Sequence, residues 1–273
     1  MSDDREELPP EKEIRFLVFD IESIPDGNLI KNLRYQDTDL TDAEAVQRAQ
    51  EEARETSYTS SDFLPYSQQI PICMAIILVN RVFEIAEMHV LGLPEHNTRQ
   101  LTEFFWRGRT KKYRSANLVT FNGRGFDLPM MELMAFRFGL PIASYYQNRG
   151  SRYNTDDLDL YDWITNYGAS RLTGGLNLLA KMIGKPGKMS IAGENVYEMY
   201  LDADYEGIQG YCLCDTLDTY FVFLRRCVLL GTITPDYEQQ VVEKARAKIA
   251  LEASRYPILN DYLACWADAL GDQ

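Results

Sequence analysis

The chain has 273 residues, 45% of them apolar and 12% aromatic, enough for one large domain or two small ones with a sizeable core. Its 28 Lys and Arg stand against 41 Asp and Glu, a formal charge of −13, which excludes the simplest nucleic-acid binder, a domain basic over its whole surface. The charge is segregated: residues 1–62 carry 17 acids and 7 bases, a net of −10, and residues 63–273 only the remaining −3.

The longest uninterrupted apolar run, Ile72 to Val79, has eight residues, which suits a buried strand and falls far short of a membrane span. The opening MSDDREELPPEKE lacks the apolar core of a signal peptide. Five cysteines, odd in number and without CxxC spacing, argue for reduced thiols in the cytoplasm and against a zinc ribbon or a disulfide framework. With only His89 and His96 for imidazole chemistry, catalysis would rest on carboxylates.

In chain order, residues 1–13 read as a polar, disordered lead. Ile14 to Glu22 alternates as a strand, with Phe16, Val18, Asp20 and Glu22 on one face and Leu17, Phe19 and Ile21 on the other. Both faces are apolar until the last residues, as expected of a central strand in a layered α/β sheet. Residues 23–70 form a long acidic insertion, partly helical from a Thr41–Glu44 capping box to about residue 55. Strands follow at 72–79 and about 82–90, turning at Asn80-Arg81. A helix over 97–107 precedes a short strand at 117–121. Helical patterns then cover about 128–138, 175–183, 193–201, 205–230, 236–255 and 258–269. No linker splits the chain. The expected organisation is a lead (1–13), one catalytic domain (14–235) and a helical C-terminal extension (236–273).

Three elements carry acids in positions suited to chemistry. Asp20-Ile21-Glu22 ends the first strand, and period two sets its carboxylates on one face, roughly 6–7 Å apart, so that both can reach one metal cluster. Phe121-Asn122-Gly123-Arg124-Gly125-Phe126-Asp127-Leu128-Pro129 leaves a strand, turns on two glycines and enters a helix. Its Asp127 reads either as an N-cap or as a ligand, and its glycines allow close approach by a ligand. Tyr211 and Asp215 lie one turn apart on one helical face, where a hydroxyl beside a carboxylate can orient a water. Each element alone has a plain structural reading: a strand reaching solvent, a cap, an amphipathic helix.

Taken in order, a strand-borne D-x-E, an N-G-x-x-F-D-x-P turn and a helical Y-x-x-x-D resemble the tyrosine branch of the DEDD, or DnaQ-like, 3′–5′ exonuclease superfamily. The resemblance is closer to stand-alone predicted exonucleases related to the proofreading domain of family-B DNA polymerases. It covers about residues 14–230, with Leu179–Lys188 and Tyr211–Arg225 in support. It implies a ribonuclease-H-like α/β fold, a mixed five-stranded sheet flanked by helices. It also implies two divalent cations, Mg²⁺ or Mn²⁺. Asp20 would bridge them, Glu22 and Asp215 would complete the site of the water-activating ion, and Asp127 would hold the second. Tyr211 would align the attacking water. Four converging carboxylates would repel one another without cations, and oxygen donors select hard ions.

Other readings stay open at this point. Asp218, three residues after Asp215, competes as fourth ligand. Asp159 in Asp157-Leu158-Asp159-Leu160 either serves the site or starts a helix. The basic run Arg107, Arg109, Lys111, Lys112 and Arg114 is a solvated loop or a rim for phosphates. Lys181, Lys185 and Lys188 form a second basic group. Asn122, Phe121 and Phe126 are candidate substrate contacts, the two rings by stacking on bases. The expected activity is 3′–5′ hydrolysis of single-stranded DNA with a free 3′ end, releasing nucleoside monophosphates, with any proofreading polymerase or repair protein a separate partner. RNA trimming and a non-catalytic nucleic-acid-binding module are the alternatives.

Overall fold

The computed structural model describes residues 9–57, 60–149, 157–189 and 196–266. Five strands form one mixed sheet in the order β3-β2-β1-β4-β5: β1 (Ile14–Pro25), β2 (Gln69–Asn80), β3 (Ile85–Gly92), β4 (Asn117–Thr120) and β5 (Leu158–Asp159). β1 is central, antiparallel to β2 and parallel to β4. The alternation read from its sequence is the one that packs. Val18 faces one core layer, while Leu17, Phe19 and Ile21 face the other. On the first face lies α9 (Tyr205–Leu229), backed by α10 (Pro235–Glu252) and α11 (Ile258–Ala264). On the second lie α3 (Thr98–Arg107) and α4 (Asp127–Phe138).

The C-terminal helical extension packs into the main core. Val241, Ala245, Ile249, Leu259 and Tyr262 are buried in the same cluster as Val18 and Tyr211. The insertion holds two helices, α1 (Gly27–Arg34), which the sequence pattern did not single out, and α2 (Asp42–Thr56), begun by the expected Thr41–Glu44 capping box. Ile30, Tyr35, Ala45, Val46, Ala49 and Leu64 give it a small core of its own. Asp26 ties it to the main domain through an ion pair with Arg137 on α4.

Several expectations need correction. Pro9 to Glu13 is a hydrogen-bonded turn and not a disordered lead. Pro9 O accepts from Lys12 and Glu13, and the Asn80 side chain donates to Glu11 O. Residues 1–8, 190–195 and 267–273, to which the predicted lead and two predicted helices extend, lie outside the described residues. The β2–β3 turn is not Asn80-Arg81 alone. The Asn80 side chain accepts from Val82 and Glu84 N–H, so the turn runs to Glu84 and β3 starts at Ile85. The short elements α5 (Ala143–Asn148), β5 and α6 (Leu160–Ile164) escaped the sequence reading because they span too few residues to show a period. α7 (Gly175–Met182) and α8 (Val196–Leu201) complete the fold.

Candidate metal centre

The site begins where the parallel ladder stops. β4 pairs with β1 only as far as Val18, so the later residues of β1 run on without a strand on that side. The chain after β4 turns through residues 121–126, and the Asp127 carboxylate accepts the Ile21 N–H at 3.2 Å. Asp127 is therefore not the N-cap. It occupies the first position of α4, and Phe126 before it caps with no side-chain bond.

From the other side of β1, α9 brings Tyr211, Cys212 and Asp215. Asp20 is within electrostatic reach of Asp127 and Asp215, and Glu22 of all three. The structure thus brings Asp127 and Asp215 within electrostatic reach of Asp20 and Glu22 at one end of the central strand. Burial, then neighbouring carboxylates, pushes Asp20 and Glu22 well above the ordinary carboxyl range. Burial also raises Asp127 to about 7, although N–H bonds oppose it, and Asp215 to about 6, although the Tyr211 hydroxyl and Lys188 oppose it. Among the described residues, no Lys or Arg forms an ion pair with any of the four. Tyr211 is buried with its hydroxyl directed at Asp215; burial and the surrounding acids raise its pKa, so it stays protonated.

Cys212 also approaches, with Sγ, Asp20 and Glu22 ligand atoms all within 4.8 Å of one another. It is a neutral thiol. Burial first, then Cys73, raises its pKa, and its S–H points at Asp20 O, 3.5 Å away. Oxygen donors therefore dominate the centre, and this donor set fits hard divalent cations.

Asp218 is elsewhere. It is 1% exposed and accepts the Tyr262 hydroxyl of α11 at 2.7 Å, a bond that fastens the C-terminal helices to α9. Tyr262→Phe would leave that carboxylate oxygen without its donor. The variant is expected to lose about 1–3 kcal/mol of stability, read from urea unfolding.

Asp159, read from the sequence as either serving the site or starting a helix, does start one, as the N-cap of α6; its bracing of the turn before Asp127 escaped the sequence reading. Its buried carboxylate accepts N–H bonds from Asn122, Arg124 and Tyr161, each at 2.9 Å, and from Asp162 at 3.3 Å. Two of these peptides belong to the turn that delivers Asp127, and Asn122 there adopts φ +64°, a left-handed conformation costly for a residue with a side chain. Asp159→Ala is expected to cost about 2–4 kcal/mol in urea unfolding, with Asp159→Asn, which keeps one acceptor oxygen, recovering part of it. The glycines of the turn let it pack closely. A Cβ on Gly123 would meet the Thr120 side chain at 2.5 Å, and one on Gly125 would meet Asn122 Oδ1 at 2.9 Å.

The other candidates divide. Asn122 is exposed at the turn. Phe126 is half-buried beside Phe63 of the insertion, with ring centroids 5.5 Å apart. Phe121 packs edge-on against Tyr161 at the margin of the core. Lys188 lines a small cavity with Tyr211 and Asp215. Lys185 instead lies over the rings of Phe221 and Trp266, and Lys181 donates to Pro186 O. The basic run 107–114 is no rim of this site. It precedes β4, whose first residue pairs with Phe16, so it sits at the opposite end of β1, four to six residues or roughly 13–20 Å from the acids. Its Arg109 is bound by both oxygens of Asp157.

A family model described as a predicted 3′–5′ exonuclease related to the exonuclease domain of PolB matches residues 61–266. The chain belongs to this family. The match extends past residue 230, where the resemblance was expected to stop, and takes in α10 and α11, consistent with the shared core. It begins after β1, so Asp20 and Glu22 join the family's region through the fold. Among solved structures, the family B DNA polymerase from the hyperthermophilic archaeon Pyrobaculum calidifontis is similar with a TM-score of 0.50 and 17% identity. The similarity covers 92% of this chain and 30% of the polymerase, so the chain spans under a third of that protein. The expected ribonuclease-H-like fold is therefore the one observed. No curated protein matches the chain. No described helix is long and apolar enough to cross a membrane.

Proposed function

We propose that the protein is a metal-dependent 3′–5′ exonuclease that shortens single-stranded DNA from a free 3′ end and releases nucleoside monophosphates. The observation that carries this reading is the set of four carboxylates, Asp20, Glu22, Asp127 and Asp215, two of them buried and two half-buried, within electrostatic reach of Asp20 and Glu22 and without a basic ion-pair partner among the described residues. Such a group is costly as it stands and suited to a pair of Mg²⁺ or Mn²⁺ ions. Bound there, two ions would supply +4 against −4, a more acidic attacking water and charge compensation at the phosphate.

The protein's own groups have separable duties. Asp20, flanked by the others, would be the residue to hold both ions; Glu22 and Asp215 would hold one, and Asp127, anchored on Ile21 N–H, the other. Tyr211 keeps its proton and so orients the attacking water as a hydrogen-bond partner without acting as a base. Lys188, beside Asp215, adds positive charge where a phosphate would approach. Five free cysteines suit a reducing compartment such as the cytoplasm.

The test is a 5′-labelled oligonucleotide incubated with Mg²⁺ or Mn²⁺. A ladder shortening from the 3′ end, with mononucleotides released, is expected. No shortening in either metal overturns the reading, and faster shortening of a matched RNA would replace DNA by RNA as the substrate.

A further inference from the structure

We infer that Asp20, Glu22 and Cys212, with Cys73 as a fourth donor, form a site for a thiophilic cation, Zn²⁺ or Cd²⁺, whose binding excludes the hard ions and stops cleavage. The binding stands on geometry alone, and only its consequence for cleavage rests on the exonuclease reading. One ligand atom each from Asp20, Glu22 and Cys212 lies within 4.8 Å of the other two. A tetrahedral zinc ion, with bonds of about 2.0–2.3 Å, sets its donors about 3.5 Å apart, so modest side-chain adjustment closes the set. Three elements hold these groups. β1 presents Asp20 and Glu22 on one face, β2 places Cys73 in register with Glu22, and α9 lays Cys212 against them. Cys73 lies beside the Cys212 thiol and within electrostatic reach of both carboxylates, and both cysteines are buried in the core layer that Val18 faces.

Glu22 itself points to a cation. It is 8% exposed, its ligand atom faces Asp20 and Cys212, and among the described residues no hydrogen bond or ion pair engages its carboxylate. Asp20 is half-buried and leaves the ion a way in. The thiol then separates two classes of ion. Mg²⁺ and Mn²⁺ take the oxygens and leave a neutral thiol alone, whereas zinc and cadmium replace its proton. A metal–sulfur bond forms, the S–H bond breaks and the proton leaves to solvent. The Cys212 thiol, directed at Asp20 O from 3.5 Å, already stands beside the carboxylates it would join. Asp20 and Glu22 cannot serve both kinds of ion at once, so a thiophilic ion competes with the hard pair.

The probe is Cd²⁺ alone, added to the full chain carrying Cys265→Ser, which removes the exposed thiol. A sulfur-to-cadmium absorption band in the near ultraviolet and a cadmium NMR shift in the thiolate range are expected, and Mg²⁺ should give no such band. Cys212→Ala should abolish the band, and Cys73→Ala should diminish it. The ratio of Zn²⁺ to Mn²⁺ affinity is expected to fall about tenfold or more in Cys212→Ala. No band, an oxygen-only cadmium shift, or a band that survives Cys212→Ala overturns the site. The cadmium shift is read with Cys212 in place, so it decides the matter even where the variant does not fold. In Mg²⁺-supported cleavage, Zn²⁺ should inhibit, with about tenfold more needed in Cys212→Ala. Zinc held by the thiol without inhibition overturns the competition. Absence of cleavage in Mg²⁺ or Mn²⁺ would instead overturn the exonuclease reading, while the cadmium signals still judge the site.

Discussion

Asp215→Asn is expected to lower kcat for 3′-end hydrolysis by about a thousandfold or more, and to raise the Tm of the metal-free protein. The two effects have one cause. Asp215 is half-buried within electrostatic reach of Glu22 and Asp20, and its carboxyl is raised to about 6. A neutral isostere removes like-charge repulsion and desolvation, which stabilises the fold, and removes an ion ligand, which ends the chemistry. Asp218→Asn provides the contrast. Asp218 is turned to Tyr262 and away from the centre, so kcat should stay within a few-fold while Tm shifts. Paired kinetics and calorimetry on the two variants check this. If Asp218→Asn were the inactive one, the fourth ligand would have to be reassigned.

Mg²⁺ or Mn²⁺ is expected to raise the Tm of the protein more at pH 8 than at pH 5. The sign follows from the direction of the shifts. Asp127 is raised to about 7 and Asp215 to about 6, while Asp20 and Glu22 are raised as well. A raised carboxyl favours the folded state fully below its unfolded pKa near 4, where it is protonated in both states. That contribution is lost as pH climbs through the folded values, here between about 4 and 7, because the native state must ionise buried, mutually repelling groups. The metal-free protein should therefore melt lower at pH 8 than these groups allow at pH 5. Divalent ions restore what ionisation removed; at pH 5 they must first displace protons, and their effect shrinks. Thermal melts across pH with EDTA, Mg²⁺ and Mn²⁺ measure it. In Asp127→Asn the metal-dependent gain at pH 8 should diminish.

Much of this was legible one residue at a time. The period-two pattern around Asp20 and Glu22 survives in the central strand because both faces of β1 are buried, and burial enforces alternation. The four-residue spacing of Tyr211 and Asp215 set the two side chains beside each other because residues one helical turn apart are neighbours on the helix surface. The capping box at Thr41 likewise needs only local sequence.

Other features lie outside any window of sequence. Asp127 reads equally well as a cap until β4 is seen to end early, leaving Ile21 N–H for its carboxylate. Asp215 and Asp218 differ by less than a turn of one helix, and only the packing of α11 turns one of them to Tyr262. Asp159 holds peptides about 35 residues earlier in the chain. The basic run looked available to phosphates until strand direction carried it to the far end of the sheet. The sequence by itself thus determined which side chains can do chemistry and which face of each element they occupy, because periodicity is a local property of the backbone. The tertiary structure alone decided which of them meet, because meeting depends on where strands stop and which helices pack, and those are settled by contacts remote in the chain.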